Sequence, residues 1–223
     1  MSLNVAPIGL TRDLAERART GKPVRIGLIG CGEMGTDIIT AVSHMQGVEV
    51  GAVAERHPER VHKAALLAYG EDGHAREAGT QAALNAAMEV GKIAVTDDAS
   101  LVIGSGLIDV VVDATGVPAV GAEIGLAAME NGKHLVMMNV EADVTIGAYL
   151  QAQAQKLGVI YSLGAGDEPS ACMELIEFVS AMGYPIVAAG KGKNNPLNID
   201  ATPPAYEEEA ARRNMNVRML VEF

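Results

Sequence analysis

The sequence has no tryptophan, two phenylalanines, five tyrosines and only two cysteines, Cys31 and Cys172. A core without large rings must be filled by Ala, Val, Ile, Leu and Met, as in parallel sheets covered by helices. Hydrophobic residues make up 49% of the 223 positions, so that material is plentiful. Two cysteines build no disulfide framework, and no Cys/His group has zinc-ligand spacing, which leads us to expect a reduced, cytoplasmic setting. No run reaches the roughly 18 apolar residues of a membrane helix. Met1-Ser2-Leu3-Asn4 lacks the apolar core of a signal peptide. Basic residues are also scarce: 17 Lys and Arg stand against 28 Asp and Glu, a net charge of −11. That surplus opposes binding to nucleic acid and to anionic membrane surfaces. A local basic cluster for a small anion remains compatible with it.

What is present alternates regularly. Short β-branched runs predict strands over 24–29, 48–54, 93–96, 108–113, 134–138, 159–163 and 184–189. Helical periodicity predicts helices over 10–20, 33–45, 58–69, 80–90, 120–131, 146–157, 169–182 and 206–213. Residues 70–79 read as a loop, and 80–96 as an insertion ahead of the strand at 108–113. Strands that alternate with helices point to an α/β fold, a doubly wound parallel sheet over 1–163. Residues 164–223 then read as the start of a smaller α+β substrate domain. The apolar run 217–223 resembles a strand that has only begun, from which a longer full-length protein is expected.

The glycines carry the first chemical signal. Gly30-Cys31-Gly32-Glu33-Met34-Gly35 matches G-x-G-x-x-G, directly after a predicted strand and at the opening of a predicted helix. In that setting the first glycine permits a tight turn and the second admits a pyrophosphate to the backbone. The third lets the helix pack on the strand, and the anion sits at the helix N-terminus. Glu55 lies twenty residues beyond Gly35, where an acid accepts hydrogen bonds from the adenosine ribose and favours NADH. Arg56 beside it would suit the 2′-phosphate of NADPH, or else be a solvated charge. Thr115 and Gly116, after the strand ending at Asp113, border the nicotinamide half of such a crevice.

Together, Gly30–Gly35, Asp113-Ala114-Thr115-Gly116, Met138-Asn139-Val140-Glu141 and Lys191-Gly192-Lys193-Asn194-Asn195 resemble the homoserine-dehydrogenase-like oxidoreductases that carry a C-terminal SAF domain. That group includes bacterial enzymes acting as 1-deoxy-D-xylulose 5-phosphate reductoisomerases, which use NADPH in isoprenoid precursor synthesis. The resemblance implies an NADPH-dependent oxidoreductase of that kind, with Asn139 and Glu141 at the cofactor. Homoserine dehydrogenases place Asn-Lys after the fifth strand, whereas here Asn139 is followed by Val140 and Glu141. The ammonium is missing, and Glu141 offers an acceptor in its place or simply a helix-start carboxylate.

Reducing a carbonyl by hydride transfer creates an alkoxide, which needs a proton or a positive charge. Lys191 and Lys193 are the candidates for that role, with Asn194 and Asn195 as neighbouring hydrogen-bond groups. The same lysines could hold a substrate phosphate, or form a solvated turn. Asp167 and Glu168 open a predicted helix, as caps for its first turn or as a functional pair. Adjacent carboxylates would suit a hard divalent cation. The five histidines have no ligand spacing. The expected partners are a small, phosphorylated substrate and further copies of the chain in a homo-oligomer, with no nucleic acid and no membrane. Two other readings stay open: a homoserine-type dehydrogenase with another substrate, and a dinucleotide sensor without turnover.

Overall fold

The computed structural model describes residues 8–164, 168–190, 198–212 and 217–222. The chain divides after Ser162 into two compact units. In the first, helix α1 (Gly9–Arg19) leads into β1 (Val24–Ile29), α2 (Glu33–Ser43), β2 (Val48–Ala54) and α3 (Pro58–Tyr69). Then come β3 (Ala75–Glu77), α4 (Gln81–Glu89), β4 (Ile93–Thr96), α5 (Ala99–Ile103) and β5 (Val110–Asp113). The unit closes with α6 (Pro118–Glu130), β6 (His134–Met137), α7 (Val140–Leu157) and β7 (Tyr161–Leu163), which straddles the division. The seven strands form one sheet in the order β3-β4-β2-β1-β5-β6-β7. Its paired strands run parallel. This is an α/β Rossmann-like fold.

The order reverses at β1, which pairs with β2 on one side and β5 on the other. Ligands of open α/β sheets bind outside the carboxyl ends of the strands at such a reversal. Burial follows the apolar runs: Leu28, Ile39, Val53 and Val61 pack in one cluster between β1, β2 and the helices α2 and α3. Leu135, Met137 and Leu150 are fully buried on β6 and α7. Gly27 lets β1 approach its neighbours, since a Cβ there would lie 2.5 Å from Val102 and 3.1 Å from Ile108. At the amino edge of the sheet the buried Lys133 donates to the carbonyls of Ser105 (2.7 Å) and Ile108 (2.8 Å). Burial lowers the pKa of this ammonium from its ordinary value, and its bonds pin the connection into β5.

Several expectations are corrected. The segment 80–96 is no insertion, because β4 pairs with β2 inside the sheet. The loop read over 70–79 contains β3, hidden by the charges of Arg76 and Glu77. The helix α5 was missed, being only five residues long. Helix α7 begins six residues earlier than its periodicity suggested, because the Asn139 side chain accepts from Ala142 N at 3.2 Å and caps it. Glu141 and Asp143 in its first turn favour that start electrostatically.

The second unit holds α8 (Glu168–Ala181), a 3-10 turn (Pro203–Tyr206), α9 (Glu207–Arg212) and α10 (Val217–Glu222). Residues 184–189, read as a strand, have no regular structure. Pro185 lacks an N–H for a ladder, and Val187 is 94% exposed. The run read as a beginning strand is α10 instead. Val217, Leu220 and Val221 also fit a spacing of i, i+3, i+4, and Arg, Met, Leu and Glu favour helix. Beyond Leu163 the described residues of this unit form no strand, and among the described residues no helix is long and apolar enough to cross a membrane.

Asp98 caps α5 through Ser100 N at 2.8 Å, and hydrogen bonding from the Ser100 side chain, with that backbone contact, lowers the pKa of its carboxyl. Asp98→Ala is expected to lower stability by about 1 kcal/mol near neutral pH, within the ordinary range for caps. A lowered folded-state pKa stabilises above the carboxylate range and ceases to do so as pH falls through it. Denaturant titrations of both proteins should therefore converge in acid; a gap independent of pH would contradict the cap.

Candidate functional site

The site is built where β1 ends. Gly30 has φ +92°, and a Cβ on it would stand 2.8 Å from the Ala114 carbonyl oxygen. The loop therefore passes against the exit of β5 with no room for a side chain. Gly35 sits on the first turn of α2, where a Cβ would strike the Gly30 carbonyl. Both glycines are required by the protein's own packing. Gly32 differs: a Cβ there would meet nothing within 4 Å. It is the N-cap of α2 and supplies no side-chain cap, so the helix start presents backbone N–H groups without intrahelical partners. Glu33 and Met34 are exposed on the same turn. Cys31 is fully buried, and burial pushes its thiol up to about 11, so it is no nucleophile at neutral pH.

Glu55, at the end of β2, is folded onto this loop. Its carboxylate accepts from Cys31 N at 2.8 Å and from His57 N at 3.1 Å. Arg60, from the first turn of α3, approaches it at 3.7 Å. The Glu55 side chain is only 8% exposed, whereas Arg56 next to it is exposed. The carboxylate expected to face outward thus already serves the loop backbone.

On the other side of β1, Asp113 ends β5 fully buried. Its Oδ1 accepts from Thr115 N at 3.0 Å, and its Oδ2 from the Asn139 amide at 3.2 Å. Burial raises the pKa of this carboxyl against the opposing effect of these donors. Gly116 turns with φ +66°. Asn139 was expected at the cofactor, but its side chain points inward, as a residue 1% exposed and engaged by protein partners. Glu141 lies half-buried in the first turn of α7. Nearby, Tyr161 of β7 donates a short hydrogen bond to Asp143, and burial with that carboxylate raises the tyrosine's pKa.

The structure thus brings Gly30, Gly32, Glu33, Met34, Gly35, Glu55 and Arg56 to one side of the sheet reversal. Thr115, Gly116, Asn139 and Glu141 lie at the exits of β5 and β6. Asp167, Lys191, Lys193, Asn194 and Asn195 lie outside the described residues, and Glu168 is described only as the first residue of α8. Sequence reasoning passed over Asp113 as a site residue, although a buried acid ending an apolar strand was a visible signal. It also passed over Arg60, one turn beyond Arg56. Among the described residues no group of three His, Cys, Asp or Glu side chains could hold a metal ion.

Comparison with known proteins adds lineage to this geometry. The family model described as "Homoserine dehydrogenase, NAD binding domain" matches residues 30–163, more than half of the chain. A second, "Oxidoreductase DRL, catalytic domain", matches residues 166–223. A homoserine dehydrogenase of Methylobacillus glycogenes is 32% identical over 118 residues, covering 53% of this chain and 25% of the relative. Among solved structures, a homoserine dehydrogenase from Thiobacillus denitrificans superposes with TM-score 0.51 at 22% identity, over 72% of this chain and 34% of that one. An NAD-binding oxidoreductase from Klebsiella pneumoniae gives 0.50 at 17% identity, over 72% and 39%. At those identities the structural likeness shows the fold alone. The chain spans about a quarter of the length of the curated relative it matches.

Proposed function

Because the chain belongs to the homoserine dehydrogenase NAD-binding domain family, we propose that it works as the NADPH-dependent part of a reductase for a small phosphorylated carbonyl compound. At the coarser level it is an NAD(P)-binding oxidoreductase of the homoserine-dehydrogenase-like type. The finer reading follows the sequence resemblance: a reductoisomerase-like enzyme acting on 1-deoxy-D-xylulose 5-phosphate, with a SAF domain elsewhere in the protein.

The observation that carries dinucleotide binding is the open position at Gly32, set against the N-terminus of α2 and unneeded by the protein's own packing. A pyrophosphate fits that cradle and is favoured there by the helix dipole. NADPH rather than NADH is supported by the posture of Glu55. A bare carboxylate about 4 Å from a 2′-phosphate would cost up to ~4 kcal/mol at an effective dielectric of 20. Here the carboxylate is turned onto two backbone amides beside Arg60, which leaves the exposed Arg56 to meet the phosphate. Arg56→Ala is expected to weaken NADPH far more than NADH in calorimetry. Equal losses for the two cofactors would remove the 2′-phosphate contact.

When bound, the nicotinamide supplies the hydride. The chain's own share at the substrate falls to Lys191 and Lys193, which would hold a proton or positive charge at the developing alkoxide or grip the substrate phosphate. Asn194 and Asn195 would orient it, and Asp167 and Glu168 would cap α8 or take a divalent cation. Lys191→Met or Lys193→Met in the full-length protein should cost ~10- to 150-fold, the worth of one contact to a charged group. A fall in kcat would mark action on the alkoxide, and a rise in KM a phosphate grip. Near-wild-type kcat/KM in both variants would refute the assignment.

The homoserine-type alternative is favoured by the 32% identity to a homoserine dehydrogenase. Loss of reduced-cofactor absorbance with deoxyxylulose phosphate, its gain from oxidised cofactor with homoserine, or neither separates reductoisomerase, homoserine-type dehydrogenase and non-catalytic sensor.

A further inference from the structure

We propose that Asp113 and Asn139 form a buried clasp that positions the nicotinamide half of the cofactor without touching it. The inference rests on the dinucleotide reading above. Since Glu55 marks the adenosine side at β2, the other half of a dinucleotide crosses the sheet reversal towards the exits of β5 and β6. The segment 114–117 forms that wall.

One side chain gathers it. The two amide hydrogens of Asn139 are shared among the Val117 carbonyl (2.9 Å), Asp113 Oδ2 (3.2 Å) and Thr115 Oγ1 (3.3 Å). Its amide oxygen takes Ala142 N at 3.2 Å. The other Asp113 oxygen takes Thr115 N at 3.0 Å. Every other residue of the segment is therefore tied, through one amide, to the first turn of α7. A helix cap alone needs only the amide oxygen. The three contacts of the amide nitrogen, one of them to a buried carboxylate, are more than a cap requires, and burying such groups is costly unless they are satisfied.

The fold also keeps this space clear. A Cβ on Gly121 of α6 would lie 2.6 Å from both Asn139 Nδ2 and Asp113 Oδ2. That glycine is helical, with no positive φ to explain it; its contacts with the clasp do. Asp113 and Asn139 are thus positioning residues, which act through the main chain of Thr115–Val117.

The test separates the two halves of the cofactor in the full-length protein. Calorimetry with 2′-phosphoadenosine diphosphate ribose reads the adenosine half, and binding and fluorescence of NADPH read the nicotinamide. Asn139→Ser keeps a capping oxygen but withdraws the amide donors, and Gly121→Ala pushes on the clasp from behind. Both are expected to weaken NADPH about 10-fold and to lose its nicotinamide fluorescence change, with the truncated ligand's affinity kept within about twofold. In turnover, kcat should fall about 10- to 100-fold, the effect of a misplaced reacting group, and the KM for NADPH should rise with its weakened binding. Equal losses for both ligands, or none, would overturn the clasp. If Asn139→Ser fails to fold, Gly121→Ala decides the matter by the same readouts. A wild-type protein that binds neither ligand fails the dinucleotide reading itself, and the clasp falls with it.

Discussion

Gly32→Val should abolish dinucleotide binding in a protein that remains folded. Nothing lies within 4 Å of the position its Cβ would take, and Gly32 does not adopt a left-handed backbone (φ −79°). The substitution therefore meets no neighbour at its Cβ and requires no left-handed backbone. Its isopropyl group instead occupies the space through which a pyrophosphate must reach the amides of α2. A loss of at least ~100-fold in affinity, or ~2.7 kcal/mol, is expected in calorimetry. The melting temperature should stay within about 2–4 °C of wild type, the shift of 1 kcal/mol in a chain this size. Unchanged affinity in the folded variant would show that the cradle is only a turn.

Two residues earlier the outcome reverses. Gly30→Ala should damage the fold itself, because φ is +92° and the new methyl would stand 2.8 Å from the Ala114 carbonyl oxygen. Strain at such a φ costs roughly 1–3 kcal/mol, and overpacking against main chain about as much again. Neither side can yield easily: Gly30 N is bonded to the Ala54 carbonyl at 2.9 Å, and Ala114 N to that of Ile29 at 2.8 Å. A loss of roughly 2–5 kcal/mol should lower the melting temperature by about 5–15 °C. Chemical denaturation showing a stable variant would mean that the loop can move away from the β5 exit.

The contrast between these glycines marks the limit of sequence reading. All three were legible as a phosphate loop, because a β-branched run leads into them and a helix leads out. Which of them serves the fold and which the ligand depends on Ala114, far along the chain and near only because β1 pairs with β5. The strands β1, β2 and β4 and the helix α3 were read with their exact bounds, since each is a continuous buried run or is punctuated by Pro and Gly. Strand β3 was not, because Arg76 and Glu77 carry no apolar signal and only pairing with β4 makes them strand. At the site, Glu55 was legible by position but its inward posture was not, for that rests on the amides of Cys31 and His57. The link between Asp113 and Asn139 spans 26 residues and follows from the adjacency of β5 and β6.

The same unassuming β3 bears on how the protein behaves when crowded. It closes one margin of the sheet with three residues, too few backbone groups to template a stable added strand. Arg76 and Glu77 stand exposed there, so an incoming strand would have to lie against both charges. A parallel sheet with an apolar interior is thereby fenced at this margin against growing into its neighbours.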